Sequence, residues 1–131
     1  MFITEIHNLL DRYRDAFNSL DSESIAKLYA IPSGIVSGKE YTHWPTFKHI
    51  AENMHALCKQ YAEHGFCSVS YELNAFLQQG EYSAVADLSW GIKRSDGLEP
   101  WCFNTTYNLL NTSEGWRVLL CTTYEEKPLD V

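Results

Sequence analysis

The first thirty residues carry apolar side chains at helical spacing. A spacing of three or four residues is typical of one face of an amphipathic helix, and it runs through Ile3, Ile6, Leu10, Tyr13, Phe17 and Leu20. A second, short helix is predicted from Ser22 to Tyr29, because Asp21 can accept hydrogen bonds from the free N–H groups at its start. Pro32 lacks a backbone donor and is expected to prevent the helix from continuing.

The next segment predicts a brief strand and a third helix. The strand is expected between Gly34 and Gly38, where apolar Ile35 and Val36 lie between two glycines. Pro45 suits the first position of a helix. Helical spacing then returns at Phe47, Ile50, Met54, Leu57 and Tyr61. This helix is expected to end at Gly65.

From Phe66 onward the hydrophobic period changes from about three and a half residues to two, which predicts strands. Turn sequences divide this part into four strands: Phe66 to Gln78, Tyr82 to Lys93, Trp101 to Asn111 and Trp116 to Glu125. Three helices followed by a four-stranded meander indicate an α+β fold. The length of 131 residues suits a single domain over 1–131.

The aromatic content favours either a shaped cavity or a ring-rich core. The chain contains four Trp, eight Tyr and six Phe within a 45% hydrophobic composition. Large rings are needed where a core surrounds a cavity or forms an interface. The net charge of −7 with scattered basic residues argues against a nucleic-acid surface.

No part of the sequence predicts membrane insertion, export or metal binding. The amino terminus resembles a first helix rather than a signal peptide, and no apolar stretch approaches the roughly twenty residues of a membrane span. The four cysteines form no CxxC pair and have apolar neighbours, so they are expected to be small hydrophobes rather than zinc ligands. We therefore expect a soluble, cytoplasmic protein with no metal and no cofactor.

Local motifs on this pattern resemble the nuclear-transport-factor-2-like superfamily, which includes SnoaL-like proteins and ketosteroid isomerases. The helix residues Arg12-Tyr13, Asn18, Asp21 and Ile25 resemble those isomerases, and Gly115-Trp116-Arg117-Val118 resembles the start of the final strand in SnoaL-like proteins. The resemblance implies a cystatin-like α+β roll, in which a cone-shaped, curved antiparallel or mixed sheet wraps around three N-terminal helices. It also implies a cavity between helices and sheet, and a homodimer through the outer sheet face.

The resemblance to ketosteroid isomerases does not extend to their two carboxyl groups. Those enzymes use a carboxylate base, a phenol and a second, protonated carboxyl. Tyr13 matches the phenol, whereas Ser37 and Thr106 stand near the positions of the base and the acid. A hydroxyl has too high a pKa to serve as that base unaided, so steroid isomerisation is not expected.

Other enzymes of the superfamily are matched no better. Epoxide hydrolases need an arginine with their aspartates, and Val85 stands where it would accompany Asp87. Strand alternation places Asp87 on the outer face if Leu88 and Trp90 face the cavity. Dehydratases use paired histidines, and of the five here only His43 is expected near the cavity mouth. The weak catalytic candidates are therefore Tyr13 and His43.

The resemblance and the strand alternation together predict a set of cavity-lining residues: Tyr13, Phe17, Trp44, Phe47, Met54, Leu88, Trp90, Asn108 and Tyr124. The strand from Trp101 leaves two alternatives, since a change of register by one residue exchanges its faces. Asn104 and Asn108 would supply neutral hydrogen bonds if they face inward. Tyr107 would nearly fill the cavity if it does.

Two functions fit these expectations. The first is a protein that binds a small apolar or aromatic ligand between helices and sheet, and that could act as a lyase or isomerase. The second is a non-catalytic homodimeric interaction module whose rings belong to core and interface. A closed interior would contradict the first, and a monomer at micromolar concentration would contradict the second.

Overall fold

The fold is described from a computed structural model, which covers residues 2–95 and 97–125. Of the predicted domain over 1–131, positions 1, 96 and 126–131 lie outside the described residues. The elements follow in chain order as α1 (Ile3–Asn18), α2 (Ser22–Ala26), β1 (Tyr29–Ser37), β2 (Glu40–Trp44), α3 (Phe47–Glu63), β3 (Phe66–Gln79), β4 (Ser83–Arg94), β5 (Trp101–Thr112) and β6 (Gly115–Tyr124). The predicted α+β fold is confirmed.

The described strands form one mixed sheet against which the helices pack. Its strand order is β2-β1-β6-β5-β4-β3. The pair β1 and β6 is parallel, and the other neighbouring pairs are antiparallel. The inner face of β4 carries Ala84, Ala86, Leu88, Trp90 and Ile92, all buried against the helices. This alternation is the one that the sequence predicts.

Two predictions about the amino-terminal half are wrong. The second helix does not reach Tyr29 but ends at Ala26, and Tyr29 begins β1 and pairs with Val118 of β6. The strand predicted from Gly34 therefore starts earlier and includes Pro32, at a place where the pairing register shifts between Tyr29 and Gly34. A bulge tolerates proline because its missing N–H is not needed by the ladder.

The other corrections concern the start of α3. The strand β2 was not predicted, because four of its five residues are exposed and carry no apolar alternation. Pro45 precedes the helix instead of occupying its first position. The N-cap is Thr46, whose side chain accepts a hydrogen bond from the His49 N–H.

The residues along β5 resolve the alternative that the sequence leaves open. Trp101, Thr105, Tyr107 and Leu109 are buried on the inner face. Tyr107 is 2% exposed, so the inner position belongs to the tyrosine and not to Asn108. No helix within the described residues is long and apolar enough to cross a membrane.

The end of α1 is attached to the sheet by one asparagine. The Asn18 side chain accepts a hydrogen bond of 2.8 Å from the Val69 N–H and donates one of 3.4 Å to the Val69 carbonyl. These two bonds join the last turn of α1 to the edge strand β3. These bonds fix the distance between the end of α1 and β3.

Asn18→Ala should lower the free energy of unfolding by about 1 to 2 kcal/mol, because it leaves the Val69 N–H and carbonyl without their partners. Urea denaturation measures this change. Ser19→Ala, at the next exposed position, is the control and should change stability by less than about 0.5 kcal/mol. Equal stability of the two variants would contradict the attachment.

Candidate functional site

A pocket of about 350 Å³ lies between the helices α1 and α3 and the inner face of the sheet. This volume is within the range of small-molecule sites. Helices and strands contribute together to its wall, which consists of Tyr13, Phe17, Tyr29, Ile35, Ser37, Thr42, Asn53, Met54, Ala56, Leu57, Gln60, Tyr61, Trp90, Phe103, Thr105, Tyr107, Cys121 and Thr123. The interior is therefore open despite the inward position of Tyr107.

Three buried phenols lie together on one side of the pocket. The hydroxyls of Tyr13 and Tyr29 share a hydrogen bond of 2.8 Å. The ring centroid of Tyr13 is 5.5 Å from that of Tyr107. Burial raises the pKa of all three phenols well above the ordinary value of tyrosine. Ionisation of a neighbouring phenol or of the Cys121 thiol would raise it further. They are neutral hydrogen-bonding groups near neutral pH and cannot act as bases there.

A thiol lies beside the phenols. Burial raises the pKa of Cys121 to about 12, although hydrogen bonds with Thr123 and Tyr29 oppose this effect. The thiol is therefore protonated at neutral pH and is a poor nucleophile. Cys121 contributes a small, weakly polar surface to the pocket.

Trp90 forms the aromatic centre of the wall. Its ring centroid is 5.7 Å from that of Tyr13 and 6.4 Å from that of Phe17, both on α1. On the sheet it lies 6.5 Å from Phe103 in a stacked arrangement. The indole Nε1 donates a 2.9 Å hydrogen bond to Oγ1 of Thr105, so the ring is fixed in orientation.

The mouth of the pocket is polar but uncharged. Ser37 and Thr42 come from the hairpin of β1 and β2, and both are exposed. The amides of Asn53 and Gln60 lie on α3 seven residues apart, which places them on the same helix face two turns apart. These hydroxyl and amide groups can donate or accept hydrogen bonds to a ligand.

Four of the residues predicted to line the cavity do so in the structure: Tyr13, Phe17, Met54 and Trp90. Trp44, Phe47 and Leu88 lie in the core without reaching the wall. The Trp44 ring packs edge-on against Tyr29 at 5.6 Å, so it supports the wall from behind.

Asn108 and Tyr124 were predicted to face the cavity and do not. Asn108 alternates with buried Tyr107 and Leu109, which places it on the outer face. A register shift where β5 pairs with β6, between Asn108 and Leu109, inserts one extra residue into β6. This bulge puts Cys121 inside and Tyr124 outside, because one added residue exchanges the faces of a strand.

His43 was predicted near the cavity mouth and lies on the other side of the sheet. In β2, Thr42 lines the pocket and Trp44 is buried, so the alternate residues Tyr41 and His43 face outward. The His43 Nδ1 is 3.0 Å from the Tyr41 hydroxyl, and both side chains are exposed. His43 is therefore not a candidate for chemistry in the pocket.

Several wall residues were missed by sequence reasoning. Tyr29 was assigned to a helix and Cys121 to the core, while Phe103 and Tyr107 depended on an unresolved register. The helical spacing that includes Leu57 and Tyr61 was recognised, and it could have indicated that this face of α3 reaches the pocket. Only the bulge in β6 and the true start of β1 bring Cys121 and Tyr29 together.

Asp87 is the centre of a polar cluster on the outer face, as its strand alternation predicts. It accepts hydrogen bonds from Thr106, from Asn74 and from the Tyr124 hydroxyl. Partial burial raises the pKa of this carboxyl, but the three hydrogen bonds together outweigh burial and hold it below the ordinary value. Asp87 is thus a satisfied carboxylate outside the pocket.

Within residues 2–95 and 97–125, no three or more His, Cys, Asp or Glu side chains are grouped so that they could hold a metal ion. The four cysteines are free thiols. The polar groups of the described pocket wall are hydroxyls, amides, an indole N–H and a thiol, all of which can form hydrogen bonds.

The family comparison covers nearly the whole chain. A family model described as an NTF2-like protein (DUF6841) matches residues 4–126. No curated protein sequence matches the chain significantly.

Solved structures of the same architecture come from several bacteria. An NTF-2 like protein of unknown function from Shewanella oneidensis is 17% identical with a TM-score of 0.77, covering 94% of this chain and 98% of its own. A ketosteroid isomerase-like protein from Erwinia carotovora is 16% identical with a TM-score of 0.74, covering 97% and 98%. A domain of unknown function with a cystatin-like fold from Nostoc punctiforme is 15% identical with a TM-score of 0.77, covering 96% and 78%. At these identities the likeness establishes the fold alone.

Tyr124→Phe should raise the pKa of Asp87 towards its ordinary value, because the carboxylate loses one donor. The stabilisation by ionised Asp87 is present above its unfolded-state pKa of about 3.9 and is lost as the pH falls through the lower folded pKa. The variant should make this loss smaller. NMR titration of the Asp87 carboxyl measures the shift, and an unchanged pKa would contradict the outward position of Tyr124.

Proposed function

The chain belongs to the NTF2-like family DUF6841, and we propose that it binds a small apolar or aromatic molecule in the pocket between its helices and its sheet. The observation that carries this proposal is the ring-lined opening of about 350 Å³, which remains although large side chains surround it. An interior built only for stability would be close-packed, with few voids larger than a water molecule.

The wall suits a flat ligand. Trp90 and Phe103 are stacked with an interplanar angle of 19°, and Phe17 lies at 30° to Trp90. Such surfaces bind aromatic molecules through offset stacking and apolar contact. The hydroxyls and amides at the mouth would orient the ligand.

The pocket favours binding over a lyase or isomerase reaction. Those reactions need a group that accepts a proton near neutral pH. The raised pKa values of Tyr13, Tyr29, Tyr107 and Cys121 keep these groups protonated. The described wall residues include no carboxylate or imidazole. We therefore propose binding without assigning a reaction.

Ala56→Trp tests the proposal by placing a large ring at the pocket mouth, where Ala56 is exposed on α3. Naphthalene and indole serve as probes, and their binding is followed by saturation-transfer NMR and by Trp fluorescence. The variant should weaken binding of both probes at least tenfold, because the new side chain occupies the entry. Its melting temperature should stay nearly unchanged.

His55→Trp is the matched control. It adds the same ring at the neighbouring helix position, which is exposed and is not part of the wall. It should leave probe binding as in the native protein. The proposal fails if neither probe binds the native protein, or if both variants weaken binding equally.

A second proposal concerns the outer face of the sheet. Pairing aligns Leu77, Val85, Asn108 and Leu120 in one row across β3, β4, β5 and β6. Leu77 is 58% exposed and Leu119, at the bulge, is 40% exposed. Exposed apolar side chains across a sheet are typical of an interaction surface, and we propose a homodimer through this face. This assembly is compatible with ligand binding on the inner face.

Leu77→Glu should weaken that dimer, because a symmetric interface would bury the new charge from both copies. Sedimentation equilibrium at micromolar concentration should show a native dimer and a monomeric variant. Leu98→Glu is the control, since Leu98 is 45% exposed and lies outside the strands. A monomeric native protein would contradict the dimer.

We also propose that the protein works in the cytoplasm. The support is the four free thiols, two of them exposed, which suit a reducing compartment.

A further inference from the structure

The described wall of the pocket contains polar residues but no residue with a charged side chain. Among the eighteen described residues that line it, none is Asp, Glu, Lys, Arg or His. The chain as a whole has 27 acidic and basic residues besides its histidines, since 17 are Asp or Glu and 10 are Lys or Arg. Charged residues are thus common in this protein but absent from the described wall of the pocket.

Four wall groups that could become charged, the phenols of Tyr13, Tyr29 and Tyr107 and the thiol of Cys121, are held neutral. Burial raises the pKa of the three phenols, and it raises that of the Cys121 thiol to about 12. All four groups are therefore uncharged across the physiological range. No described wall residue carries a fixed charge, and these four groups add none near neutral pH.

The buried polar groups of the wall are also hydrogen-bonded to one another. The Tyr13 and Tyr29 hydroxyls bond together at 2.8 Å, and the Trp90 N–H bonds to Thr105 at 2.9 Å. The Tyr13 hydroxyl also has a hydrogen bond with Tyr107, and the Tyr29 hydroxyl has one with Cys121. Hydroxyl groups that are bonded to one another in this way cannot surround an ion.

Two charged groups of α1, Asp11 and Arg14, interact with each other away from the pocket. The Asp11 carboxylate accepts a 2.6 Å hydrogen bond from the Tyr71 hydroxyl and lies 3.3 Å from the Arg14 guanidinium. Neither Asp11 nor Arg14 lines the pocket. A charged ligand would therefore leave water without gaining a partner of opposite charge.

We infer that this pocket selects its ligand by charge: it takes an uncharged aromatic molecule whose polar groups are hydroxyl or carbonyl oxygens, and it excludes molecules whose carboxylate, phosphate or ammonium group would enter it. The inference rests on the proposed ligand-binding function. Its physical reason is that burial of an ion without a counter-charge is far more costly than burial of a neutral polar group.

One force opposes this selection for cations. The faces of Trp and Tyr rings attract an ammonium group. The desolvation cost of an unpaired, buried ammonium exceeds this attraction. The wall offers no carboxylate to reduce that cost, so the neutral ligand should be preferred over the cation as well.

Three probes of nearly equal shape test the inference: a naphthyl methyl ketone, naphthoate and naphthylmethylammonium, with naphthalene as the uncharged reference. Binding to the full chain at pH 7 is measured by Trp fluorescence and by calorimetry. The ketone should bind at least tenfold more tightly than either ion. An ion that binds as tightly as the ketone overturns charge selection, and the ammonium as the tightest probe would identify a cation-binding aromatic cage instead.

The naphthalene reference separates this inference from the proposed function. Naphthalene binding that Ala56→Trp blocks, together with ions that bind as well as the ketone, overturns charge selection alone. Absence of binding by all four probes overturns both proposals.

A charge added at the mouth gives an independent test. Gln60→Lys, at an exposed wall position on α3, should tighten naphthoate binding at least fivefold, because it supplies the missing counter-charge. His55→Lys adds the same charge on the same helix outside the wall and should change it less than twofold. An equal gain in both variants would show that naphthoate responds to the overall charge, which contradicts selection by the pocket.

Discussion

The contact between the Trp90 indole and the apolar face of α1 is the interaction on which the rest of the site depends. It brings Tyr13 and Phe17 of the helix against the middle of the sheet, with ring centroids 5.7 and 6.4 Å from the indole. The hydrogen bond to Thr105 prevents the ring from turning. Rings are rigid and wide, so α1 contacts the sheet through Tyr13 and Phe17 but does not fill the space beside them. The pocket is the space that remains.

The uncharged character of the wall follows from the same arrangement. A sheet that must bury large rings on its inner face places its charged residues on the outer face, where Asp87 is satisfied by Thr106, Asn74 and Tyr124. The phenols that do face inward are buried and therefore remain protonated. The proposed ligand would therefore be recognised by shape and hydrogen bonding, in the pocket between the helices and the sheet.

Part of this arrangement follows from hydrophobic period, which places Tyr13 and Phe17 on one face of α1, and Leu88 and Trp90 on one face of β4. That the face of Leu88 and Trp90 is the inner one was implied by the resemblance to the superfamily. Local pattern does not determine register between strands. The bulge in β6 turns Tyr124 outward and Cys121 inward, and the alternation of β2 turns His43 outward. Tyr29 was placed in a helix, although long-range pairing with Val118 makes it a strand residue. Whether each of these residues faces inward or outward depends on pairing with strands that are distant in sequence.

The central claim is that the space beside Trp90 is a binding site rather than a packing defect. A crystal structure of the protein grown with saturating naphthyl methyl ketone tests it most directly. The account predicts density for one flat molecule in contact with Trp90 and Phe103, with its carbonyl oxygen within hydrogen-bond distance of a wall hydroxyl or amide. A pocket closed by the side chains of Met54, Tyr61 and Phe103, with no density for the ketone, would contradict it.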